Sequence, residues 1–216
     1  MKLFVDTADL NEIREAKALG VVAGVTTNPT LLAKNGNGDV KATIQEICSI
    51  FPDSPVSMEV MSEDAEGMIK EGEEFATWAD NVYVKIPFCI EGMKAVSALT
   101  AKGIRTNVTL VFSSAQALLA ANAGASFIST FVGRLDDIGH DGTVCTAEIV
   151  NMLNNYNFPS EVLAASIRHP LHVIQAAESG CDIATIPFGV LKKMYNHPLT
   201  ESGIAGFKKD WEQFKG

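Results

Sequence analysis

Only four of the 216 residues are cysteine (Cys48, Cys89, Cys145 and Cys181), widely spaced and without a Cys-x-x-Cys pair. This excludes a disulfide scaffold and argues against a structural zinc site. The expectation is reduced, mostly buried thiols in a cytoplasmic protein. Histidine is equally sparse. His169 and His172 lie three apart beside Pro170, with no carboxylate or thiol at ligand spacing, so no metal is expected. No apolar stretch is long enough to span a bilayer. The opening Met1-Lys2-Leu3-Phe4-Val5-Asp6 reaches an acid too early for a signal peptide. Basic residues are in deficit, 17 against 26 acidic ones, for a formal net charge of −9, and no run of Lys and Arg forms a stripe. Nucleic-acid and anionic-membrane binding are therefore not expected. A small anion remains possible, because a few aimed cations outweigh a diffuse field at short range.

What is present is a globular composition, 47% hydrophobic and 20% charged, in a length that fits one domain over residues 1–216. Short β-branched runs alternate with helical patterns. Eight strands are predicted: Leu3–Asp6, Val22–Thr26, Val56–Val60, Val82–Ile86, Ile104–Thr109, Phe127–Val132, Val162–Ala165 and Ile183–Ile186. Asp9 with Glu12, and Ser113 with Gln116, read as capping boxes opening helices. Ala65, Met68, Ile69, Gly72, Phe75 and Ala76 form a helical stripe. Further helices are predicted over Thr143–Tyr156, Pro170–Ser179 and Val190–Asn196, and Gly36-Asn37-Gly38-Asp39 reads as a loop.

Strict alternation implies parallel strands joined by right-handed crossovers. Eight units predict an α/β fold, a (β/α)₈ barrel, with an additional C-terminal helix at Glu201–Phe214. An open doubly wound sheet would favour a Gly-rich phosphate turn after the first strand, and Asp6-Thr7-Ala8-Asp9 is not one. The terminal helix carries Ile204, Phe207, Trp211 and Phe214 at roughly helical spacing. Such a stripe either packs on its own barrel or meets another subunit.

Barrel enzymes place their chemistry at the carboxyl ends of strands, on the inward face. Period-two alternation sorts the two faces. Val82, Val84 and Ile86 oppose Tyr83 and Lys85; Val56, Met58 and Val60 oppose Ser57 and Glu59; Leu3 and Val5 oppose Phe4 and Asp6. Ile128 and Val132 oppose Phe127, Ser129 and Phe131. In the seventh strand, Leu163 and Ala165 are read as outward, opposite Ala164 and Ser166. On this reading Asp6, Asn28, Glu59, Lys85, Thr109 and Ser166 converge at the barrel mouth.

Lys85 is the decisive residue. Lysines are usually solvated, yet Val84, Ile86 and Pro87 read as buried strand. Desolvation disfavours an ammonium and frees the amine to condense with a ketone as a Schiff base, chemistry that needs no metal and no organic cofactor. A structural Lys–Glu ion pair is the competing explanation. Asp6 and Glu59 are the candidate proton carriers. Asn28, before Pro29, can hydrogen-bond a substrate hydroxyl or simply shape a turn. Arg134 and Arg168, with Ser166, suit a phosphomonoester; pairing of Arg134 with Asp136 or Asp137 is the alternative.

In order and spacing, Ala23-Gly24-Val25-Thr26-Thr27-Asn28-Pro29, Val84-Lys85-Ile86-Pro87, Thr106-Asn107-Val108-Thr109-Leu110, Gly133-Arg134-Leu135-Asp136-Asp137 and Ala164-Ala165-Ser166-Ile167-Arg168 resemble the small single-domain transaldolases, within the transaldolase/fructose-6-phosphate aldolase-like family. The resemblance runs from Val5-Asp6-Thr7 to Asp210-Trp211. It implies a Schiff base on Lys85 with a ketose phosphate, and proton handling by Asp6 and Glu59, partly through a water held with Thr109. Asn28 would hold the dihydroxyacetone moiety, Thr26 and Phe131 would line the substrate site, and Arg134, Ser166 and Arg168 would hold phosphate. The implied reaction is transfer of a dihydroxyacetone unit from sedoheptulose 7-phosphate to glyceraldehyde 3-phosphate, in the pentose phosphate pathway. The sister fructose-6-phosphate aldolases typically carry glutamine and tyrosine at the positions of Glu59 and Phe131, so both residues favour transaldolase. A sugar-phosphate-binding barrel without catalysis is the other alternative. Thr130 and Cys89-Ile90 depart from the common pattern. The resemblance also implies a homo-oligomer, pentameric rings pairing into decamers, with the terminal helix reaching a neighbour.

Overall fold

The computed structural model describes residues 1–35 and 38–215. Its strands are β1 (Lys2–Asp6), β2 (Val22–Thr26), β3 (Val56–Glu59), β4 (Val82–Pro87), β5 (Thr106–Val111), β6 (Phe127–Phe131), β7 (Glu161–Ala165) and β8 (Ile183–Pro187). They pair in sequence order, all parallel, and β1 closes against β8. The helices are α1 (Leu10–Ala18), α2 (Pro29–Asn35), α3 (Val40–Ile50), α4 (Ala65–Ala76), α5 (Ile90–Ala101), α6 (Ser114–Asn122), α7 (Val132–Asp137), α8 (Gly142–Asn155), α9 (Pro170–Glu178), α10 (Phe188–Lys193) and α11 (Pro198–Lys215). The fold is the expected (β/α)₈ barrel with a C-terminal helix.

Two cores result from strand alternation. Outward residues such as Val5, Val84, Ile86, Val108 and Ile128 pack under the helices. Inward ones stack in layers. At the amino end, Phe4 meets Phe127 edge-on and Tyr83 stacks on Phe127 at 4.6 Å. Above them lies a polar layer, in which Asn107 donates to Ser57 at 3.1 Å and accepts from Ser129 at 2.7 Å. The reactive residues occupy the layer above that. A packed apolar layer thus underlies a polar mouth, as expected where side chains fill the barrel interior.

Several local expectations need correction. In β7, Leu163 and Ala165 belong to the inner cluster, whereas Ala164 packs under the helices. The face assignment there is reversed, and alternation fails at Ser166, whose φ of 57° is left-handed and re-aims the chain just past the strand. Strand β5 begins at Thr106 rather than Ile104, because the Ile104 N–H closes the end of α5 on the Leu99 carbonyl. Residue 132 opens α7 instead of extending β6. The predicted Val190–Asn196 helix runs Phe188–Lys193, and the sequence reading sets no bounds for α2, α3 and α5. Neither capping box closes as drawn. Thr7 intervenes in the first, accepting from the Asp9 N–H and donating to Glu12 at 2.6 Å; in the second, Gln116 accepts from Phe112, one residue upstream of Ser113. Of the predicted 36–39 loop, Gly36 and Asn37 lie outside the described residues, while Asp39 caps α3. Cys48 and Cys181 are buried as expected, but Cys89 is exposed and caps α5 through its sulfur. No residue of α11 is buried, so its apolar stripe does not pack on its own barrel.

Candidate active site

Lys85 stands on the inner face of β4 and is 6% exposed. Its Nζ lies 3.0 Å from Glu59 Oε2 and donates to the Thr27 carbonyl at 3.0 Å. The backbone of the Thr26-Thr27-Asn28-Pro29 segment therefore helps orient the amine, a role that no side-chain pattern announces. Asp6, at the end of β1, accepts from Thr26 Oγ1 at 2.7 Å, and Thr26 in turn lies 2.6 Å from the Thr185 hydroxyl. Burial pushes the Asp6 carboxyl above the usual aspartate range, against the opposing pull of the Lys85 ammonium and the Thr26 hydrogen bond; the Glu59 charge adds to the rise.

These groups face a cavity of about 150 Å³ at the carboxyl ends of the strands, shared by Asp6, Thr26, Asn28, Lys85, Thr109, Phe131, Arg134 and Ser166. Glu59 opens onto the adjoining part of the mouth, which Asn28, Lys85, Thr109, Phe131 and Arg134 also line. Thr109 Oγ1 is buried and has no hydrogen-bond partner among the described residues, so it is free to hold a substrate oxygen or a water. Asn28 serves the turn as well as the site, since its Oδ1 accepts from the Leu31 N–H while its side chain faces the cavity.

The two arginines part company. The Arg134 guanidinium lies 5.0 Å over the Phe131 ring, faces the cavity, and has no carboxylate partner among the described residues. Arg168 instead forks onto Asp137, with one arm at 2.6 Å, and is not among the residues lining the cavity. Ser129, which alternation turns inward with Phe131, and Thr185, which was not named from the sequence, also line the cavity. Alternation along Ile183–Ile186 places Thr185 inward beside Ile183, so that signal was available.

A buried amine held against a carboxylate, with a second carboxyl and an uncommitted guanidinium at the same barrel mouth, defines a barrel enzyme equipped for carbonyl-carbon chemistry. The family described as Transaldolase/Fructose-6-phosphate aldolase matches residues 3–216. The chain is 57% identical over 212 residues to a probable transaldolase of Methanococcus maripaludis, covering 98% of each chain. It is 58% identical over 214 residues to one of Caldicellulosiruptor saccharolyticus (99% and 98%), and 56% identical over 214 residues to one of Myxococcus xanthus (99% and 95%). The chain belongs to the transaldolase/fructose-6-phosphate aldolase family. Among solved structures, a 2,3-dimethylmalate lyase aligns with TM-score 0.60 at 17% identity, covering all of this chain and 82% of the other; at that identity the likeness is one of fold.

Proposed function

We propose that this chain is a transaldolase, moving a dihydroxyacetone unit reversibly from sedoheptulose 7-phosphate to glyceraldehyde 3-phosphate and yielding erythrose 4-phosphate and fructose 6-phosphate. The observation that carries the reading is the setting of Lys85, its amine 3.0 Å from Glu59 in a barrel mouth of this family. The Lys85 amine adds to the ketose carbonyl, and loss of water gives the imine. A carboxylate, Asp6 or Glu59, takes the proton from the hydroxyl beside the bond to be broken. The bond's electron pair passes into the protonated imine as an enamine, and the first aldehyde leaves. The acceptor aldehyde then reacts with the enamine, and water, held with Thr109, releases the new ketose. No metal or organic cofactor enters these steps.

Asn28 and Thr26 face the dihydroxyacetone end, with Phe131 closing one wall. Arg134 and Ser166 take the phosphate; Arg168 joins them only by loosening its hold on Asp137. Among the described residues no helix is long and apolar enough to cross a membrane, and the cytoplasm is the proposed location. The bare apolar stripe of α11, including Phe207 and Trp211, supports a homo-oligomer, a pentamer or decamer, which light scattering measures. The test of the function is borohydride reduction with fructose 6-phosphate, which should inactivate the protein and leave the reduced three-carbon adduct on Lys85. An adduct on another lysine would overturn the reading.

A further inference from the structure

We infer that His172 is a positioning residue for the phosphate end of the pocket, because one neutral imidazole ties the segment carrying Arg134 to the segment carrying Ser166. The inference rests on the sugar-phosphate reading above. His172 lies near the start of α9, outside the cavity, and its side chain is 6% exposed. Its Nδ1 accepts the Arg168 backbone N–H at 3.4 Å, and its Nε2 stands 3.0 Å from Asp136 Oδ2. An Nδ1 that accepts leaves the proton on Nε2, which then donates to Asp136. Arg168 is two residues beyond Ser166, and Asp136 is two beyond Arg134. The other Asp136 oxygen accepts the Gly142 N–H at the start of α8, so the grip has a fixed base.

The same two segments also meet backbone on backbone. The Gly133 N–H donates to the Ser166 carbonyl at 3.1 Å, and a Cβ at residue 133 would fall 2.4 Å from that oxygen and 2.6 Å from Arg168 Nε. Ser166 holds a left-handed φ that a serine keeps only when its surroundings impose it. His172 supplies part of that constraint by pinning the Arg168 N–H.

Protonation would undo the tie. A second proton must go on Nδ1, where it faces the Arg168 N–H as donor against donor. The charged groups around the ring pull in both directions. Asp136 on α7 and Asp141 at the α8 cap favour the cation, whereas Arg168 and His169 disfavour it; the His169 ring lies 3.7 Å away, and His140 lines the same outer cleft. Burial is the largest influence and, with His169, holds His172 below the ordinary histidine range. The tie is therefore intact at neutral pH and is lost only as the pH falls through a point below the ordinary histidine value.

The experiment compares wild type with His172→Gln and His172→Leu between about pH 5 and 8, using fructose 6-phosphate and then unphosphorylated dihydroxyacetone as donor. Glutamine can accept from Arg168 and donate to Asp136 but does not titrate. The expected result is a KM for fructose 6-phosphate that rises roughly fivefold to tenfold more on acidification in wild type than in the Gln variant, with kcat moving less. The substrate phosphate titrates near pH ~6 for both proteins and cancels in the ratio. His172→Leu should show the raised KM at every pH, and KM for dihydroxyacetone should not follow the pattern. Equal pH slopes in wild type and the Gln variant, or equal losses with both donors, would overturn the inference. Should wild type transfer nothing at any pH, the functional reading has failed instead. Hydrogen exchange at the Arg168 amide, expressed as protection relative to the intrinsic rate at each pH, then decides the tie: protection that falls in acid for wild type but not for the Gln variant supports it, and identical behaviour refutes it.

Discussion

Glu59 and Lys85 are register partners on adjacent parallel strands, and their side chains meet at 3.0 Å with only 15% and 7% of their surfaces exposed. A pair this enclosed is costly to break from one side. Glu59→Leu strands a buried ammonium and should destabilise the protein by about 3 kcal/mol in urea titrations, whereas adding Lys85→Met should recover much of that loss. Additive losses in the double variant would mean that the two groups do not sense each other.

Phosphate recognition should be unequal between the arginines. Arg134→Ala should lower kcat/KM for phosphorylated donors by roughly 2 kcal/mol, through KM, because its guanidinium is uncommitted. Arg168→Ala should cost about half as much, since Asp137 already occupies the fork. Steady-state kinetics on both variants checks the order, and a larger loss for Arg168 would reverse the assignment.

Asp6 links activity and stability to pH in opposite senses. Burial raises its pKa in the folded state, so the fold binds this proton more readily than the unfolded chain does. Its contribution is fully present below the ordinary aspartate value and is lost as pH rises through the raised folded value. Asp6→Asn should therefore be more stable than wild type at neutral pH while losing most turnover. In the native enzyme, the acid limb of kcat/KM should lie above the usual carboxylate range. Thermal melts and a pH–rate profile measure the two halves separately.

Phe131 brings no hydroxyl to the barrel mouth, and its ring is held between Phe112, edge-on at 5.6 Å, and the Arg134 guanidinium. Phe131→Tyr places a proton donor at the mouth and should increase release of free dihydroxyacetone from fructose 6-phosphate when no acceptor is present. Adding Glu59→Gln should move the balance further. Coupled-assay measurement of dihydroxyacetone, with and without erythrose 4-phosphate, reads the partition. Fast release by the unmodified protein, indifferent to acceptor, would mark it as an aldolase.

Much of this was legible from alternation alone. The inward set Phe4, Asp6, Ser57, Glu59, Tyr83 and Lys85 follows from period two, because β1, β3 and β4 alternate regularly through those positions. Legibility ended where the backbone leaves that rhythm. Left-handed Leu110 shifts the register between β5 and β6, and left-handed Ser166 reverses the reading of β7. Hydrogen bonds to main-chain atoms were also invisible, among them the Thr27 carbonyl on Lys85 and the Arg168 N–H on His172. The Arg168–Asp137 fork joins residues 31 apart, and nothing local chooses it over a phosphate.

The seam between β1 and β8 sets a timetable. Asp6 lies opposite Pro187 in the closing ladder, and the hydroxyl pair that steadies it reaches from residue 26 to residue 185. On the ribosome, a nascent chain that has emerged as far as β7 already holds Lys85, Glu59 and Asp6, yet its first strand has a partner on one edge only. Asp6 waits for almost the last piece of the barrel, so the mouth is completed late and all at once. A truncated product would carry Lys85, Glu59 and Asp6 and still lack the chamber that brings them together.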